Sequence, residues 1–147
     1  MNKKLDEFVC KALDRIIQEV PLVQYYSISK LRKKYNDSGG RISVSYVPEM
    51  LKATFYLYSS FYEFNPDSEL DKKAIISLLC HEVGHIFIWE LTGSTREIEK
   101  AASYVGRLVY DLVVKDLGLE PWQIYFLNLK WRRAKDEEEK WIIWNVN

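Results

Sequence analysis

Histidine is almost missing from this chain: among 147 residues there are two, His81 and His85. That scarcity excludes any site built on three imidazoles. Cysteine is equally rare, with Cys10 and Cys80 alone. Two thiols so far apart make no disulfide framework, so a reducing compartment is expected. Charge of one sign is lacking too, since 21 Lys and Arg balance 21 Asp and Glu. No global field therefore favours nucleic acid or an anionic membrane. No stretch approaches about 18 uninterrupted apolar residues. The charged N-terminus, Met1 to Glu7, has no apolar signal core. The expectation is a cytoplasmic protein without a membrane partner, inside a host cell if it is viral.

What is present suits a folded domain: 48% of the residues are hydrophobic and 29% charged. Without repeats, low-complexity tracts or linkers, residues 1–147 are expected to form one domain, with an aromatic C-terminal extension over about 119–147. Both histidines fall in one pentapeptide, His81-Glu82-Val83-Gly84-His85, inside an apolar run. On a helix, residues four apart project from one face, so the two imidazoles can bind one zinc ion. Glu82 is then placed to act as general base on water.

Around that pentapeptide the chain divides into elements. Leu5 to Val20 repeats apolar residues at three and four and predicts a packing helix stopped by Pro21. Cys10 lies beside its stripe; it is read as a small packed hydrophobe rather than as a latent metal ligand. Leu22 to Ile28 suggests a short strand, and Asn36-Asp37-Ser38-Gly39-Gly40 a turn. Arg41 to Val47 alternates as a strand, and Ala53 to Tyr58 is expected to complete a hairpin with it, Phe55 and Leu57 on one side. Asp67 or Ser68 can cap a helix from Glu69 to Leu91 that is apolar nearly all round and so buried. Gly93 is placed to stop it. A second helix is expected over Thr95 to Leu117, with Ile98, Ala101, Ala102, Val105, Leu108, Val109, Leu112 and Val113 as its core stripe. Arg132 to Lys140 is expected as a charged surface helix, followed by an apolar end, Trp141 to Trp144, that must dock somewhere.

Two histidines do not complete a catalytic zinc site, which generally takes three protein ligands. The remaining ligand must be a carboxylate, which removes the metzincin-type and SprT-like arrangements. Glu97 and Glu99 open the second helix. Glu99 shares its side with the small residues Ala102, Ser103 and Gly106, a face that can approach the first helix closely; Glu97 shares its side with Lys100, Ala101, Tyr104 and Arg107, a bulkier and more polar set. Glu99 is preferred and Glu97 stays open. Glu90 lies on another side of the first helix, and Asp111 is more remote.

The run Thr54 to Tyr58, a loop, and then Leu78-Leu79-Cys80-His81-Glu82-Val83-Gly84-His85 resembles the small gluzincin-like metallopeptidases of phages, prophages and related mobile elements. Glu97-Ile98-Glu99-Lys100 resembles their acidic third-ligand stretch, and Glu99 is the better match. The likeness covers roughly Arg41 to Leu117. It implies a minimal zincin-like α+β fold: an N-terminal helix, a small sheet, the buried HExxH helix and a glutamate-bearing helix. It also implies a zinc-dependent peptidase with His81, His85 and Glu99 on the metal, Glu82 as base and a protein or peptide substrate. In such enzymes a Tyr or His often assists the oxyanion, which here leaves Tyr104 or Tyr110. The Ala53 to Tyr58 strand, as sheet edge beside the cleft, would hold an extended substrate.

Two other readings compete. One is a catalytically silent zincin scaffold that binds a partner or itself through Trp131, Trp141 and Trp144. The other is nucleic-acid binding through Arg32, Lys33, Lys34, Arg132 and Arg133, which demands steep salt dependence. Charge balance makes the basic run Lys30 to Lys34 more simply a solvated face, and nucleic acid is not an expected partner.

Overall fold

The computed structural model describes residues 3–93, 99–120, 129–133 and 141–145; for residues 99, 100, 129–133 and 141–145 it describes the backbone alone. The architecture is α+β: an N-terminal helix, a small three-stranded mixed sheet and further helices.

Helix α1 (Lys3–Gln18) buries Leu5, Val9, Ala12, Leu13 and Ile16, the stripe its apolar spacing dictates. Its end tightens, with the N–H groups of Glu19 and Val20 donating to the carbonyls of Ile16 and Ile17. Pro21 disfavours helical geometry in the residue before it, which is reason enough for the stop. Cys10 corrects the sequence expectation: it is exposed, because one step beyond Val9 turns it about 100° off the buried stripe.

The sheet contains β1 (Tyr25–Lys30), β2 (Ile42–Val47) and β3 (Lys52–Leu57). The expected hairpin is present: β2 and β3 pair antiparallel across a short 3-10 turn, Pro48–Met50, with Leu51 in the left-handed region at φ 49°. β1 pairs with β3 in parallel, placing Ile28 opposite Phe55. The order is therefore β1-β3-β2, and this corrects the expectation that the third strand is an edge. β3 is hydrogen-bonded on both sides, with Ala53, Phe55 and Leu57 buried beneath it. Among the described residues no strand pairs with the outer edge of β2, the edge beside the following helix. On the opposite sheet face hydroxyls pair across the strands: Ser27 with Thr54, Ser45 with Tyr56, and Ser43 with Tyr58, at 3.2–3.3 Å.

Helix α2 (Glu69–Thr92) begins and ends where its punctuation says. The Ser68 side chain accepts from the Asp71 N–H, Glu69 and Asp71 occupy the positive end, and Gly93 closes it in the left-handed region. Among the described residues α2 alone is long and apolar enough to cross a membrane, yet 67% of its most apolar window is buried inside the protein. Helix α3 spans Glu99–Val113 and then tightens into the 3-10 turn Lys115–Leu117, closed by Gly118. The expected start at Thr95 lies outside the described residues. Its core face is narrower than expected. Ala102, Val109, Tyr110 and Val113 are buried, whereas Leu108 and Leu112 are each 56% exposed. The guanidinium of Arg15 ties α1 to the turn after α3, donating to Asp116 at 2.8 and 2.7 Å.

Strands β4 (Leu129–Arg133) and β5 (Trp141–Asn145) form a separate antiparallel pair, Trp131 opposite Ile143. Arg132 and Arg133 are thus in a strand, a correction to the helix expected there; residues 134–140 lie outside the described ones. Strand geometry suits the β-branched and aromatic residues of the pair, Trp131 opposite Ile143 and Arg132 opposite Ile142, better than a charged helix would.

Candidate functional site

Helices α2 and α3 meet backbone to backbone. A Cβ added to Gly84 would stand 2.1 Å from the Ala102 carbonyl oxygen, and one added to Gly106 would stand 2.8 Å from that of Cys80. Those pairings run in opposite directions along the two helices, so α3 returns antiparallel beside α2. They set the level at which everything else meets.

At that level Ser103 faces the first histidine, its Oγ 3.0 Å from Nδ1 of His81. The imidazoles of His81 and His85 stand edge to face with centroids 4.8 Å apart, as a one-turn separation on one helix face requires. Glu82 and His85 are buried, 8% and 4% exposed, and His81 is half-buried. Trp89, one further turn along, stacks on His85 with centroids 6.2 Å apart and planes at 29°.

Opposite these side chains stands the outer edge of the sheet. A recess of about 60 Å³ lies between Ile42, Ser43 and Val44 of β2 and Glu82, His85 and Trp89 of α2, closed at one end by Asn36 and Ser38. Asn36 shapes that end: its Oδ1 accepts from the N–H groups of Ser38 and Gly40, and its Nδ2 donates to the Ile42 carbonyl. The turn signal in the sequence thus becomes a wall of the cleft.

Of the expected site residues, His81, Glu82 and His85 come together on α2. Glu99 is the first residue of α3, four before Ser103 and hence one turn away on the same side, toward the His85 end. Its carboxylate, and all of Glu97, lie outside the described residues. Among the described residues no three His, Cys, Asp or Glu side chains converge as a ligand set. Asp111 is exposed and paired with Arg107 at 3.1 Å, and Glu90 is exposed. Two imidazoles one turn apart on one helix face would supply two of the three protein ligands that a catalytic zinc site generally takes. Ser103 is the kind of outer partner that fixes which ring nitrogen of a histidine carries its proton.

Neither tyrosine expected to assist lines the recess. Tyr110 is fully buried with the Arg107 guanidinium 5.5 Å over its ring, and Tyr104 is 55% exposed. Cys80, on α2 just before the motif, is fully buried, which pushes its thiol well above the ordinary range, with Asp111 adding to the rise. The basic run is locally balanced: Lys30 pairs with Asp6 at 2.7 Å and Lys33 with Asp37 at 2.6 Å. Sequence reasoning placed Ser103 on the right face but gave it no role, and it missed Trp89. The signal for Ser103 was its four-residue spacing from Glu99; Trp89 carried the matching spacing from His85.

Comparisons of the chain with protein-family models, with curated proteins and with solved structures found no match.

Proposed function

We propose that this protein is a zinc-dependent peptidase of the gluzincin-like kind, acting inside the cell on extended polypeptide. The observation that carries this reading is that the buried Glu82 and His85 line one cleft opposite β2, with His81 packed against His85 one turn away and its Nδ1 3.0 Å from Ser103 Oγ. His81, His85 and Glu99 would hold the metal. Zinc, when bound, supplies the Lewis acidity that makes water a nucleophile at neutral pH.

The chain's own residues do the rest. Ser103, 3.0 Å from Nδ1 of His81, would accept its N–H and so leave Nε2 to hold the metal. Glu82 takes the proton of the attacking water and passes it to the departing amine nitrogen. The unpaired backbone of β2 binds the substrate as an added strand, which fixes the scissile bond along the helix. Burial of Glu82 and His85 excludes competing solvent and strengthens every charge interaction in the cleft.

The test is metal analysis of the purified protein together with cleavage of a denatured protein mixture. We expect about one zinc per chain and hydrolysis that disappears in Glu82→Gln. Absence of bound zinc at neutral pH overturns the reading. Full zinc content with no turnover of any peptide, and a partner bound equally by Glu82→Gln, would instead make the chain a silent scaffold.

A further inference from the structure

The pairing of β2 with β3 decides which of its backbone groups face outward. The Tyr58 N–H donates to the Arg41 carbonyl at 3.0 Å, so that facing pair is a hydrogen-bonded one and the next, Ile42 opposite Leu57, is not. Alternation then makes Ser43, Ser45 and Val47 the residues bonded to β3. Ile42, Val44 and Tyr46 turn their N–H and C=O groups to the outer edge. The same parity shows on the other side of β3, where the Leu57 carbonyl accepts from the Leu31 N–H.

One of these outward groups is taken. Asn36 Nδ2 donates to the Ile42 carbonyl at 3.2 Å, as the N–H of an added strand would. That side chain is clamped, for its Oδ1 accepts from the Ser38 and Gly40 N–H groups at 2.9 and 2.7 Å. The Asn36 N–H closes the turn on the Gly40 carbonyl at 2.8 Å. A Cβ on Gly40 would stand 2.8 Å from Asn36 Nδ2, so glycine at that position leaves the amide its room. Beyond Ile42, no hydrogen bond among the described residues reaches the outward backbone groups of Val44 or Tyr46.

We propose that Asn36 is a stop built onto the edge of β2. Extended polypeptide adds as a strand on Val44 and Tyr46, and the Asn36 amide, by holding the Ile42 carbonyl, keeps it from pairing further. A strand slips along its partner without turning its side chains over only in steps of two residues, so loss of the stop opens a register that reaches Ile42. Val44 and Tyr46 bind the peptide backbone, and Asn36 is a positioning residue. What happens to the bound peptide rests on the peptidase reading above; the test reads binding separately from zinc and turnover.

Glu82→Gln protein labelled with ¹⁵N, in which that reading allows no turnover, is titrated with an acetylated, amidated octapeptide of alternating alanine and threonine, with and without zinc. Amide shifts and exchange are followed at Ile42, Val44 and Tyr46. The peptide should move the Val44 and Tyr46 amides downfield and slow their exchange about tenfold, the scale of one hydrogen bond, and leave Ile42 still. Asn36→Asp keeps the acceptor for Ser38 and Gly40 and loses only the donor. In that variant the peptide should slow the Ile42 amide about tenfold as well, with the Ser38 and Gly40 amides as protected as before. An N-methylated octapeptide, which has no donors to offer, should bind about tenfold more weakly, a comparison that needs no variant to fold. Val44 and Tyr46 amides that are already slow in the free protein, or that the peptide does not move, overturn the inference. So does an Asn36→Asp protein in which Ile42 stays still. Peptide at Val44 in a protein that takes up no zinc leaves the stop standing and removes the peptidase reading; zinc uptake with no peptide on β2 does the reverse.

Discussion

At His81 the nitrogen that meets Ser103 decides what the other nitrogen can do. A ring whose Nδ1–H is engaged presents Nε2 in a fixed direction, and losing that anchor frees both tautomer and tilt. Ser103→Ala should lower zinc affinity by about 10–100-fold, measured by competition with a chelator, with the circular dichroism spectrum unchanged. Equal affinity would show that the 3.0 Å contact positions nothing. The two thiols make a second comparison at this scale. Cys10 is exposed and Cys80 fully buried, with a thiol that burial keeps protonated. Iodoacetamide should therefore add one label to the native protein and a second after denaturation, as read by intact mass. Two labels on the native protein would mean that α2 opens readily.

Among the elements, the contact between α2 and α3 is the most demanding. Alanine at position 84 gains about 1 kcal/mol of helix propensity over glycine. It also sets a methyl 2.1 Å from a backbone carbonyl that cannot swing aside. Overpacking of this kind costs about 1–3 kcal/mol, so the clash should win. Gly84→Ala should lower the melting temperature and weaken zinc binding together; a raised melting temperature would refute the close approach. Local chemistry made much of this level legible. Ser68 and Gly93 announced the ends of α2, and alternation announced the β2–β3 hairpin. The parallel pairing of β1 with β3 was not legible, because a strand's sequence states its faces but not its distant partner. Leu108 and Leu112 misled for a related reason: apolar periodicity gives a stripe, and only the tertiary contact says how wide a part of it is covered.

Taken whole, the molecule should weaken in alkali. Cys80 and Tyr62 both keep their protons more tightly when folded. Burial raises each: the thiol goes well above its ordinary value of 9.0, and the phenol rises from 10.0 to about 12, with Asp6 adding to the effect on Tyr62. Groups raised in this way stabilise fully below their unfolded values, and the benefit is lost as pH climbs past them toward the folded ones. Urea unfolding midpoints should be flat from pH 7 to about pH 9 and then fall. Cys80→Ala should make the first part of that fall shallower. A midpoint that rises with alkali would contradict the assignment.

The seam where Gly84 meets Ala102 and Gly106 meets Cys80 also limits how such a protein can be controlled. At those points there are no side chains between the helices to repack, so α3 cannot glide along α2 by a fraction of a turn. An inhibitor or activator working by gradual sliding of α3 along α2 would have to break the seam. If the chain is the peptidase proposed above, its control would act on access to the β2 edge, at the mouth of the cleft and not at this seam.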